Sequence, residues 1–408
     1  MFLLSRYLRL LRWRYRKNSA DIRGLLGRGY PDFILSDKAT GRDIHHIPVF
    51  VFHDVEPAKL RAQLEHLRKN GYRTLRSDEL LRVLEGTLAP PKDAVALTFD
   101  DGLASLYTVA FPLLAQYGFN GIAFIIPGRI PDIPSKMSAE DEAGGETPHS
   151  GQTQEKARSA AHLLCSWNEI RDMHASGVID FQSHSMYHQL VHVSGELVDF
   201  MHPRFDRHPC RFHVPQIRID GMPAFPGRVP YGAPIYRAEP RMRGLPRYYE
   251  DEAVRQVCVA LVAQHGGATF FQRKGWRSQL LHAYRKQKRP MVSPYEPQVL
   301  LRTAIYEDVA QSKAAIESRL AGHCVQHFCF PWYVGSKLAV DEARRAGYRA
   351  FHWGFLPDVE SNKPGSGPLR IGRLDERYIL RLPGAGRKAL SEILIDMVRE
   401  NAFRWFKT

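Results

Sequence analysis

The sequence predicts an α/β fold of parallel βα units, and three observations carry that prediction. Short apolar, β-rich segments alternate along the chain with amphipathic helical patterns. One such segment, Val95-Ala96-Leu97-Thr98-Phe99, runs directly into Asp100-Asp101-Gly102. Carboxylates at a strand end suit folds that place their chemistry where strands give way to loops. Finally, 408 residues with 44% hydrophobic content can bury a core larger than one typical domain, which a single α/β barrel with insertions accommodates.

Seven strand-like segments follow in order: 47–52, 95–99, 122–126, 178–183, 325–330, 349–353 and 369–374. Between the first two, residues 57–70 carry Leu60, Leu64 and Leu67 on one helical stripe. Residues 105–117 and 337–346 read as helices closed by Gly118 and Gly347. Two insertions interrupt the alternation. Residues 131–159 are polar and rich in Gly, Ser, Glu and Thr, as expected of a loop. Residues 195–311 are basic and proline-rich, with nine prolines between Met201 and Glu250. From Met201 to Leu300 there are 17 Lys/Arg against 7 Asp/Glu, so +10 of the chain's net +14 lies there. The expected organisation is therefore a basic N-terminal segment (1–45), a first barrel part (46–194), the insertion (195–311), a second barrel part (312–385) and a C-terminal helix (386–408).

The chemistry-bearing residues fall in two motifs. Gly102 gives the Asp100-Asp101 turn its backbone freedom. About eighty residues later, His184-Ser185-Met186-Tyr187-His188 follows another strand-like segment, and an i,i+4 spacing puts both histidines on one face of a helical turn. Two imidazoles and a carboxylate make a three-ligand divalent metal site with an open position. Successive strand residues point to opposite faces, so both carboxylates can enter one site only where the backbone leaves regular geometry.

With Thr98-Phe99-Asp100-Asp101-Gly102 and His184-Ser-x-x-His188, the chain resembles the polysaccharide deacetylase family, also called NodB-homology or carbohydrate esterase family 4. The resemblance implies a distorted (β/α)7-type barrel, here with a large basic, Pro-rich insertion. It also implies a metal-dependent hydrolase that removes N-acetyl groups from a sugar. Asp100 matches the family's general base, and Asp101, His184 and His188 its metal ligands. Zinc is the default for such a set, and nickel, cobalt or iron(II) also suits it.

A third family segment is altered. Phe328-Cys329-Phe330-Pro331-Trp332 resembles Arg-x-Pro-Tyr, with Cys329 in the arginine position. By resemblance, Pro331 and Trp332 wall the substrate groove, and the Trp332 amide is a candidate oxyanion donor. Arg373 is the candidate to replace the missing arginine. The last family segment, which usually carries a catalytic histidine, is matched only by residues 379–384, with Pro383 in that place. His53, ending the first strand, and His352 are the remaining candidates for the acid, each with a purely structural role as the alternative.

Five scattered cysteines without a Cys-x-x-Cys pair argue for a reducing compartment. Arginines interrupt every apolar stretch of residues 1–17, so no uncharged signal core is expected. Drawn as a helix, that segment lies either on an anionic membrane surface or on its own domain. The C-terminal run 393–407 poses the same choice, with a packed helix favoured. The insertion reads as a cap over an anionic ligand or as a solvated extension; no nucleic-acid motif accompanies its charge. These observations predict a cytoplasmic enzyme, or one peripheral on the inner membrane, acting on an N-acetylated glycan or lipid-linked sugar of a bacterial surface polysaccharide or lipopolysaccharide-type precursor. An amidohydrolase acting on another non-peptide C–N bond and a catalytically impaired glycan-binding protein are the alternatives.

Overall fold

The computed structural model describes residues 29–37, 46–132, 163–206, 208, 210–219, 222–224, 226–289, 294–356 and 362–406. The basic segment 1–17 and nearly all of the polar loop expected at 131–159 lie outside them. Six of the expected strands are present as β1 (Val49–Phe52), β3 (Ala94–Asp101), β4 (Gly121–Ile125), β5 (Ile179–Ser183), β10 (His327–Cys329) and β11 (Ala350–His352), while the one expected at 369–374 is reduced to a bridge at Ile371 and the two-residue β12 (Leu374–Asp375). They lie in the order β11-β10-β5-β4-β3-β1-β12, and every pair is parallel. A short strand that the apolar pattern did not reveal, β2 (Arg73–Thr74), adds to β3. The segment ending in β12 closes the barrel. Ile371 bridges to His352 on one edge, while Leu374 pairs with Phe50 on the other.

Strand alternation divides the side chains into two layers. In β3, Val95, Leu97 and Phe99 pack outward under the helices, and Ala96 joins the interior with Val49, Ile122, Phe124, Cys329 and Ile371. Thr98 and Asp100 share the parity of Ala96, so they face inward as well. Helix Pro57–Lys69 covers the outer layer with Leu60, Leu64 and Leu67, all 1% exposed or less. Burying each of these leucines contributes roughly 2 kcal/mol. The Glu56 carboxylate caps this helix by accepting from the amides of Ala58 and Lys59.

The insertion forms its own structure. Strand β6 (Leu190–Phe200) pairs antiparallel with β9 (Pro234–Pro240), and β7 (Ile217–Ile219) forms a hairpin with β8 (Met222–Ala224). Helices Glu252–Gln264 and Trp276–Gln287 pack beside them. Two separate apolar clusters result, one around Tyr236, Cys258 and Phe270, the other around Met201, Ile217 and Ile235. The expected limits of 195 and 311 need correction. The inserted strand starts at Leu190, and helix Gln298–Glu317 belongs to the barrel, burying Leu301, Ile305, Val309 and Ile316 in its core. That helix is bound to the barrel by its apolar face, which charge composition does not register.

Candidate metal and catalytic centre

The site residues gather at the carboxyl ends of β1, β3, β5 and β10, the usual place for chemistry in such a barrel, with Arg373 joining them from just before β12. Asp101 would point toward the helices if β3 stayed regular. Its φ of 71° turns the backbone, and both carboxylates enter one site. Gly102 follows at φ 72°, where a side chain would also press on Ile125.

The histidines converge by a different route from the helical turn expected of their spacing. Residues 184–188 form a loop in which Ser185 (φ 67°) and His188 (φ 50°) are left-handed. Ser185 Oγ accepts from the His188 amide at 2.9 Å, and the buried Asp308 carboxylate accepts from the Met186 amide at 2.9 Å and from Gln189 Nε2 at 3.2 Å. These bonds replace the helical ladder. The side chains nonetheless meet: Nε2 of His184 and of His188 lie 3.5 and 3.7 Å from Asp101 Oδ1.

This set fits a divalent cation. His184 Nδ1 lies 2.9 Å from the Cys329 carbonyl, which can only accept, so that nitrogen carries the proton and Nε2 keeps its lone pair. Asp101 Oδ1 and His188 Nδ1 are buried and have no hydrogen-bond partner among the described residues. Burial holds His184 down to about 4 and His188 well below the usual imidazole range, so both are neutral and able to ligate. Burial, reinforced by adjacent Asp100, pushes Asp101 up to about 7. A bound cation is the natural counter-charge for that carboxylate.

Asp100 is held by another charge. Burial alone would raise its pKa, but Arg373, aided by His184 and His53, brings it to about 2. Arg373 forks it with bonds of 2.7 and 2.8 Å, and the arginine side chain is fully buried. The guanidinium also donates to Thr98 Oγ1, the Trp353 carbonyl and Cys329 Sγ. Cys329 Sγ sits 3.7–3.8 Å from the Asp100 carboxylate, so the cysteine fills the expected arginine position while Arg373 reaches Asp100 from the segment leading into β12.

The other candidates divide. His53 Nε2 lies 4.0 Å from Asp100 Oδ2, with its side chain about half exposed. His352 is fully buried, with Nε2 2.9 Å from His327 Nδ1, and is a structural residue. Residues 379–384 pack elsewhere: the Pro383 carbonyl accepts from Tyr72 OH, and Arg381 is buried against the Ile34 carbonyl. Pro331 and Trp332 form a tight turn, with Trp332 at φ 52° and its ring centroid 4.0 Å from that of His188. The Trp332 amide finds no acceptor among the described residues.

Several participants had escaped the sequence reading. Phe212, from the insertion, packs its ring 4.8 Å from His188, which Trp332 also contacts. Arg129 joins the Tyr187 and Cys210 carbonyls (2.9 and 2.8 Å) and lies over Phe212, tying the histidine loop to the insertion. Tyr333, also left-handed, stacks toward Arg373. Only Asp308 had a signal in the sequence, as a lone acid on the apolar face of its helix.

The comparisons with known proteins agree with the motifs. The polysaccharide deacetylase family model matches residues 87–199. The chain is 27% identical over 134 residues to the poly-beta-1,6-N-acetyl-D-glucosamine N-deacetylase of Escherichia coli (strain K12); the match covers 33% of this chain and 18% of that protein. The chain thus spans less than a fifth of that relative's length. Among solved structures, it is similar to a de-N-acetylase from Aggregatibacter actinomycetemcomitans, with 16% identity, a TM-score of 0.47, and coverage of 81% of this chain and 95% of that one. It is also similar to IcaB from Ammonifex degensii, with 18% identity, a TM-score of 0.44, and coverage of 84% and 97%. The matched stretch 87–199 holds Asp100, Asp101, His184 and His188, and through it the chain is similar to the polysaccharide deacetylase (NodB-homology) family.

Proposed function

We propose that this protein is a metal-dependent carbohydrate N-deacetylase acting on an N-acetylated glycan. The observation that carries the reading is the placement of two buried carboxylates side by side, one facing two neutral imidazoles and the other gripped by an arginine. Asp101, His184 and His188 would hold the cation, zinc being the first choice for that donor set. When bound, the cation polarises the amide carbonyl and acidifies a water.

The remaining steps belong to the chain. Arg373 keeps Asp100 ionised and fixes its orientation, so that it can accept the proton of the attacking water. The Trp332 amide is oriented by its strained turn and supplies a donor for the developing oxyanion. His53, half exposed beside Asp100, delivers a proton to the departing amine. Trp332 and Phe212 flank His188 and form apolar walls for the sugar.

The substrate in this proposal is a surface polysaccharide or a lipid-linked precursor, handled at the cytoplasmic face of the membrane. Five unpaired cysteines support a reducing setting. No helix among the described residues is long and apolar enough to cross a membrane, and contact with the bilayer would be peripheral. Acetate release from N-acetylated oligosaccharides tests the reaction. The zinc-loaded wild type should release acetate and the Asp100→Asn variant should not; equal release from both would refute the assignment.

A further inference from the structure

The inserted unit holds a second polar site, a cavity of about 200 Å³ walled by His192 of β6, Gln216 and Arg218 around the start of β7, and Arg247, Tyr249 and Glu250 after β9. Its charges are unevenly matched. Arg255, at one side, is satisfied by Glu250 and Glu252. Arg247 has no carboxylate within ion-pair distance among the described residues. Its guanidinium donates only to Gln216, at 3.1 Å to the carbonyl and 2.7 Å to the side-chain oxygen, and both acceptors are neutral. The nearby Glu296 carboxylate is already forked by Arg241 at 2.7 and 2.8 Å.

A largely desolvated cation with neutral partners is costly unless a ligand supplies the missing charge. Burial, reinforced by Arg241, lowers the Arg247 pKa to about 10, and Glu296, already engaged by Arg241, offsets this only in part. Arg218 adds a second cation at the exposed rim. Glu250 Oε2 is buried without a hydrogen-bond partner among the described residues and, with Tyr249, offers contacts suited to a hydroxylated ring.

We infer that this cavity binds a sugar bearing an anionic group, a carboxylate or a phosphate, which Arg247 receives in a fork while Arg218 closes over it from the rim. His192 follows the metal ligand His188 by four residues, at most about 14 Å of extended chain. The Gln216 amide is bonded to the Leu190 carbonyl between them. In this inference the anionic sugar in the cavity is one unit of a glycan whose N-acetylated unit lies beside Asp101, His184 and His188. That last link rests on the deacetylase reading; the anion site rests on Arg247 and its surroundings.

Calorimetric titration of the full, zinc-loaded chain tests the inference with three probes: glucuronic acid, glucose 1-phosphate and neutral N-acetylglucosamine. At least one charged probe should bind about ten-fold more tightly than the neutral one. Arg247→Gln should remove that preference, and Arg247→Lys, which keeps the charge, should retain part of it. Zinc content and the melting curve should stay as in wild type for Arg247→Lys. Preference for glucuronate assigns a carboxylate site, and preference for the sugar phosphate a phosphate site. Equal binding of charged and neutral probes, no binding of either charged probe, or wild-type binding by Arg247→Gln would overturn the inference and leave the deacetylase reading standing. Conversely, Arg247-dependent binding without acetate release from any glycan would overturn the deacetylase reading alone.

Discussion

Around the site at the carboxyl ends of the barrel strands, five described non-glycine residues hold left-handed backbone: Asp101, Ser185, His188, Trp332 and Tyr333. The inserted unit has one among its described residues, Arg211. Each such conformation costs on the order of 1 kcal/mol or more and persists only where the surroundings enforce it. Around the catalytic centre the enforcement is visible in the Asp308 bonds, the Arg129 staple and the Arg373 fork. The cavity of the inserted unit is assembled instead from ordinary strands and helices, and its tension is electrostatic, an arginine with no carboxylate in ion-pair distance among the described residues. One site stores strain in the backbone to aim its groups; the other leaves a charge for a ligand to satisfy.

Breaking the first site should have the largest effect. Asp100→Asn removes the proton acceptor with little change in shape, and kcat should fall by about 10³-fold while metal content stays unchanged. Arg373→Met leaves the Asp100 carboxylate buried and unpaired. It should cost about 3–5 kcal/mol, measured by denaturant unfolding, and abolish activity. A smaller loss would mean that the fork is not what stabilises the base.

Asp308 sharpens the comparison, because it acts only through the backbone of the histidine loop. Asp308→Ala should weaken zinc affinity by about 10–100-fold in a competition assay with a chelating dye, with the metal ligands themselves intact. The smallest effect concerns pH. Asp100 titrates at about 2 in the folded protein against 3.8 in the unfolded chain. Its contribution is therefore fully present above pH 3.8 and lost as the pH falls toward 2. In the metal-free protein it should amount to about 2 kcal/mol, seen as a difference between wild type and Asp100→Asn in unfolding at pH 5 and pH 2.5.

Much of the barrel was legible because strand parity is written in the residues. Once Val95, Leu97 and Phe99 face the helices, Asp100 must face inward, and the same reasoning places His53, His184 and Arg373 on the interior side. Parity could not show that His184 and His188 are joined by a left-handed loop rather than a helical turn, since beside the local Ser185 bond the loop is held by Asp308, more than a hundred residues away. Composition was informative about the insertion's charge but not about its limits. Helix 298–317 belongs to the barrel because of where Leu301 and Ile305 pack. Phe212 and Arg129 reach the site only through tertiary contacts, and Arg247 gains its meaning from what surrounds it in three dimensions.

The central claim is that Asp101, His184 and His188 hold a catalytic cation. Elemental analysis of the purified, zinc-reconstituted protein, set beside Asp101→Asn and His184→Ala and paired with acetate release, tests it most directly. The account predicts about one metal per wild-type chain, near none in either variant with the circular dichroism spectrum unchanged, and acetate release that follows metal content. Metal retained in both variants, or undiminished acetate release from chelator-treated wild type, would contradict it.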